Sequence, residues 1–152
     1  MPALPHSRRT VLLALLGLAG HGSLLAACGE DDADRIDAFI AAVTGEVTTA
    51  RIDHVLDTYL ALDQRPLSTT VLGDMRLYRE EDAATLREAV HRRLQRVLGS
   101  SLKVLRRHVD LKGATARVEL QLFGDNLMGN VVYELAKLDD KRWIITLVRV
   151  GN

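Results

Sequence analysis

From Ser101 to the end of the chain apolar side chains recur at every second position, and this change of period constrains the fold more than any other feature. It is clearest over 114–123, where Ala114, Ala116, Val118, Leu120 and Leu122 alternate with Thr115, Arg117, Glu119 and Gln121. Neighbouring side chains on a strand point to opposite faces, so the alternation predicts a sheet with one packed and one wet face. Such sheets are antiparallel, and helices must cover the packed side. Four strands are expected, at residues 101–111, 114–123, 130–138 and 142–150, with turns at Lys112-Gly113, Gly124 to Gly129 and Asp139-Asp140-Lys141.

The preceding segment has the helical period. Ile36, Phe39, Ile40 and Val43 form one stripe on a helix over 33–44, capped by Asp31 or Asp32 and stopped by Gly45. A second helix is expected over 49–62, with Ile52, Val55, Leu56, Tyr59 and Leu60 on one side and Thr48 or Thr49 as its cap. In the third, over 82–98, Leu86, Val90, Leu94, Val97 and Leu98 face in, and Arg87, Arg92, Arg93 and Arg96 face out. Between the second and third helices, 69–72 and 75–78 read as a hairpin about Gly73-Asp74, with Gly73 opening a type II′ turn.

The order helix, helix, hairpin, helix and four-strand meander resembles the nuclear transport factor 2-like fold, the cone shared by SnoaL-like proteins. The stretch from Tyr133 to Ile145, with Trp143 after the final turn, is similar to that superfamily's last two strands. The resemblance implies an α+β domain with three helices on one face of a curved antiparallel sheet. It does not imply one function, because the fold hosts isomerases, hydratases, lipid carriers and noncatalytic binding or assembly domains.

The first 28 residues carry a different message. Arg8 and Arg9 precede the apolar run Val11–Ala19, which is too short to span a bilayer and suits the core of a signal peptide. Leu25-Ala26-Ala27-Cys28 then resembles the bacterial lipobox at all four positions. The resemblance implies cleavage before Cys28, the chain's one cysteine, and a lipid on its thiol. Ser7-Arg8-Arg9-Thr10-Val11-Leu12 is also similar to the twin-arginine export motif, with Val11 where phenylalanine is usual. Gly29 after the anchor, by the sorting rule of enteric bacteria, implies the outer membrane, on its periplasmic side. The expected organisation is therefore signal peptide 1–27, lipidated start and short tether 28–32, and one α+β domain over 33–152.

Removing 27 of 152 residues leaves 125, enough for one hydrophobic core. Formal charge falls from zero to −2 as Arg8 and Arg9 leave, so no basic excess points to nucleic acid. A single cysteine spent on lipid excludes an internal disulfide and a cysteine nucleophile. No cofactor or metal is expected, since no His/Asp/Glu cluster has ligand spacing on one element. His54 and His91 read as ordinary surface or half-buried histidines.

Arg106, His108 and Asp110 share one strand face, and a His108–Asp110 pair aimed into a cone could act as general base and orienting carboxylate. The opposite face of that strand, with Leu105, Val109 and Leu111, reads as the core side, which turns the polar trio to solvent. Tyr59, Tyr78, Phe123, Tyr133 and Trp143 read as core. Residues 30–63 hold nine acids against two arginines, and 87–107 hold seven bases against Glu88. This predicts solvated helix faces with some intramolecular pairing, or else a basic surface for an anionic partner.

The function expected is that of a lipid-anchored envelope protein whose domain binds a protein partner or apolar ligand without catalysis. One alternative is a SnoaL-like isomerase or hydratase using His108 and Asp110. Another is periplasmic lipid binding, because the Tyr-x-Leu-x-Lys…Trp ending resembles phospholipid-binding proteins of the toluene-tolerance family. That family's aspartate after the tryptophan is replaced here by Leu147.

Overall fold

Helical and strand periods separate along the chain as the sequence indicates, and the structure, a computed structural model, describes residues 32–125 and 127–151. The chain separates into two compact units, Met1–Arg35 and Ile36–Asn152. Of the first, only helical residues 32–35 are described, so Cys28, Arg8, Arg9 and the Asp31 cap lie outside the described residues.

Helix α1 covers 32–43, and its Ile36, Phe39 and Ile40 are buried. Gly45, at φ +83°, ends it in the left-handed region that favours glycine. The carbonyls left open at its end accept hydrogen bonds from the Arg51 guanidinium, Ala41 at 2.8 Å and Thr44 still closer. Helix α2, Thr49–Tyr59, is capped by Thr48, whose hydroxyl accepts from the Arg51 N–H at 3.1 Å. It stops three residues short of the expected 62, where Leu60 turns extended. Helix α3, Ala83–Leu94, runs between short 3-10 turns at Glu80–Asp82 and Gln95–Val97. The tightening after Leu94 takes Leu98 off the inward stripe, and Leu98 is exposed. No described helix is long and apolar enough to cross a membrane.

Seven strands form one curved sheet: β1 Gly45–Glu46, β2 Leu67–Val71, β3 Asp74–Tyr78, β4 Ser101–Lys112, β5 Thr115–Gly124, β6 Leu127–Lys137 and β7 Trp143–Gly151. Their order is β1-β4-β5-β6-β7-β2-β3. Every pairing is antiparallel except β2 with β7, which is parallel; β3, α3 and strands β4 to β6 between them in the chain supply the long crossover such a pair needs. The short β1 pairs with the start of β4, an element the sequence does not signal.

Three local features depart from simple alternation. The hairpin turn is Leu72-Gly73, not Gly73-Asp74, and both residues have positive φ, as a type I′ turn requires to match strand twist. In β4 a bulge between Val104 and Arg106 inserts Leu105 as an extra residue. Leu105 is therefore exposed, while Val104 and Val109 pack on the core. In β7 a second bulge, opposite Glu134/Leu135, shifts the register at Thr146. Trp143, Ile145 and Val148 then pack on the core, and Leu147 leaves it to stand opposite Glu134. Both bulges bend the sheet around the helices.

The core is one cluster. Ile36, Phe39 and Ile40 of α1 and Leu86 of α3 meet Ala116, Val118, Leu120 and Leu122 of β5, Leu135 of β6, and Trp143 and Ile145 of β7. Arg107, on the same side of β4, reaches Asp37 of α1 at 2.8 Å.

Candidate functional site

Inside the curve of the sheet, three rings from three elements meet. Phe39 of α1 lies edge-on to Tyr59 of α2 and to Tyr133 of β6, each at 5.1 Å between centroids and at 74° and 84°. Such edge-to-face pairs add to apolar burial. Burial pushes the Tyr133 phenol up to about 12 and raises that of Tyr59, because a phenolate would lose its hydration there. Both hydroxyls are protonated at neutral pH. No polar or charged residue is fully buried among the described residues. The rings are packed core, with Phe39 fully buried and Tyr59 and Tyr133 against the core cluster, and the exposed His54 ring lies edge-on to Tyr59 at 6.4 Å.

The opposite face of the sheet carries a ladder of charge. His108 stands across from Glu119, and Asp110 across from Arg117. Arg117 bonds Glu119 at 2.8 Å and Glu134 at 3.2 Å, and the nearby Glu119 carboxylate raises its pKa. Asp110 pairs with Lys112 at 2.8 Å. His108 is exposed on this face, and no hydrogen bond joins it to Asp110. The two residues thus share a face, as expected, but do not form a dyad. Beside Asp110 lies an open depression of about 550 Å³, lined by Arg65, Lys112, Arg117, Glu134 and Thr146 among others.

A third cluster joins α2 to α3. Asp53 and Asp57 are one turn apart on α2, and Arg87 and His91 are one turn apart on α3. Arg87 bonds Asp53 at 2.7 Å and also Asp57, while the His91 ring meets Asp53 at 2.8 Å. The hydrogen bond with His91 acts most strongly on the Asp53 carboxyl; burial opposes it, and the Arg87 bond with the charges of His91 and Arg87 leaves the carboxyl below the usual aspartate range. Arg87 therefore turns toward α2 instead of facing out, and His91 is a bridge between helices. The matched i,i+4 spacing of two acids on one helix and two bases on the next was the available signal. Between the end of α2 and the start of α3, Leu56, Leu60, Leu62, Ala83, Leu86 and Arg87 border a groove of about 530 Å³.

Phe123 departs from its expected place in the core. It stands beside Lys103 and Met128 on the face away from the helices and is 47% exposed. Among the described residues no group of three His, Cys, Asp or Glu is placed to hold a metal.

No family model matches the chain, and no curated protein matches it. Solved structures do. A protein of unknown function with a cystatin-like fold from Nostoc punctiforme PCC 73102 superposes with TM-score 0.58 at 12% identity, covering 78% of this chain and 89% of its own. A "putative ketosteroid isomerase" from Shewanella frigidimarina NCIMB 400 gives 0.53 at 18%, covering 78% and 92%. An NTF-2 like protein of unknown function from Shewanella oneidensis MR-1 gives 0.50 at 16%, covering 78% and 90%. With three helices and a curved, unclosed seven-strand sheet, the domain has the nuclear transport factor 2-like α+β fold.

Proposed function

We propose that the chain is a lipid-anchored protein of the bacterial cell envelope whose domain binds a protein partner or an apolar ligand without catalysing a reaction. The observation that carries the anchor is Leu25-Ala26-Ala27-Cys28, set behind a nine-residue apolar run and a positive start. A diacylglyceryl thioether on Cys28 with a further acyl chain holds a protein in the bilayer, since each buried methylene contributes about 0.8 kcal/mol. The sequence after Cys28 directs the protein to the periplasmic side of the outer membrane, and Arg8 and Arg9 direct export through the twin-arginine route. Binding of an apolar group is supported by the groove of about 530 Å³ that Leu56, Leu60, Leu62, Ala83 and Leu86 border between the end of α2 and the start of α3.

Fractionation tests the anchor: the wild-type chain should sediment with membranes, and Cys28→Ser should shift it to an uncleaved precursor or to the soluble fraction. A wild-type chain absent from membranes, or a Cys28→Ser chain processed before residue 28 and membrane-bound like wild type, would contradict the proposal.

The likeness to the Shewanella frigidimarina protein favours a second reading, an isomerase or hydratase using His108 and Asp110. Against it stand the exposure of His108 and the pairing of Asp110 with Lys112 instead. A turnover assay on a cyclic ketone or enone panel separates the two readings, because only the second predicts activity lost in His108→Ala.

A further inference from the structure

We propose that the free edge of β3 pairs with the same edge of a second copy, in an antiparallel register centred on Met75, so that two sheets become one. β3 ends the strand order, and no described strand lies beyond it. The two-residue turn Leu72-Gly73 closes on the pair Val71 and Asp74. Hydrogen-bonded pairs alternate along an antiparallel ladder, so Asp74, Arg76 and Tyr78 direct their backbone groups to β2. Met75 and Leu77 point theirs to the open edge.

Edges of this kind are normally blunted by lysine, proline or a bulge. β3 has no lysine, proline or bulge, and its two charges, Asp74 and Arg76, are of opposite sign and pair with each other. Its hairpin instead carries some of the most exposed large apolar side chains of the domain, with Leu72 at 73%, Met75 at 74% and Leu77 at 52%. Leu72 is moreover held at φ +51°, a left-handed conformation in which leucine is rare.

Charge selects both the partner and the register. A two-fold pairing must repeat the same contacts in both directions. Centring it on Asp74 or on Arg76 sets like charges directly opposite each other, which is destabilising. Centring it on Met75 sets Asp74 opposite Arg76 of the second copy, and Arg76 opposite its Asp74. In this register Met75 meets Met75 through their outward backbone groups, and Leu77 reaches the Gly73 of the second copy. Within one copy Asp74 and Arg76 already pair at 3.1 Å, so the same two groups extend into a four-member cross-strand network. The strand is self-complementary in backbone, apolar face and charge, and a second copy satisfies all three.

Sedimentation equilibrium of the full chain in density-matched detergent tests this, with wild type expected at twice the monomer mass. Arg76→Asp puts acids opposite acids and should weaken association by about tenfold or more. Asp74→Arg combined with Arg76→Asp restores opposite charges and should restore the dimer. Met75→Lys, at a side chain that supports no core contact, should give a folded monomer. A wild-type monomer at every concentration, a dimer indifferent to Arg76→Asp and Met75→Lys, or a double exchange that fails to recover the dimer would each overturn the proposal. So would an edge that binds an extended peptide while the chain itself stays monomeric.

Discussion

Asp53 takes hydrogen bonds from two side chains of another helix, and its depressed pKa makes that contact dependent on pH. A carboxyl whose folded pKa lies below its unfolded value adds stability that is complete above the unfolded value, here the ordinary 3.8, and is lost as pH falls through the folded one. Asp53→Asn should therefore lower the urea midpoint at pH 7, and its difference from wild type should shrink in strong acid, below pH 3.8. A difference unchanged between pH 7 and strong acid would mean that the carboxylate charge plays no part in joining α2 to α3. The uneven spread of acids and bases along the chain made intramolecular pairing legible, since seven bases follow nine acids. Which acid meets which base was not, because that depends on how two helices cross. His108 shows the converse. Its strand face followed from the sequence, but that Asp110 pairs with Lys112 and not with it did not.

Elements were more legible than their details. Three helices, a hairpin and a four-strand meander appear in the order that periodicity gives, because each needs many residues in phase. A bulge needs only one. In β4 the inserted residue is Leu105, which leaves the core side expected of it, and in β7 an insertion at Thr146 reverses the parity that follows, so Val148 and not Leu147 packs beside Ile145. The hairpin slid by one position for a related reason: a two-residue turn can use glycine at either site, and strand twist decides. Trp143 precedes the β7 bulge and keeps its place, buried in the core where β7 packs against the helices. Trp143→Ala should cost about 3–5 kcal/mol, a large share of a small domain's stability. A urea midpoint left unmoved would show that the last strand does not close the core.

At the scale of the molecule, fold and function separate. The nuclear transport factor 2-like cone sets the aromatic interior, yet the same cone serves unrelated tasks, so the function rests on groups outside the folding pattern. Two of these are the proposed export residues Arg8 and Arg9. If Arg8 and Arg9 specify twin-arginine export, replacing both by lysine should strand the precursor in the cytoplasm although positive charge is conserved. Normal export of that variant would assign the chain to the general secretory route and leave the anchor untouched. Cys28 carries more weight in the proposal, since a lipid there would place the domain at a membrane and spend the chain's one thiol. Intact-mass spectrometry of the protein extracted from membranes measures this directly. The expected chain begins at Cys28 and carries the added mass of a diacylglyceryl group with a further acyl chain; a chain with Cys28 unmodified, or one still beginning at Met1, would contradict the proposed anchor.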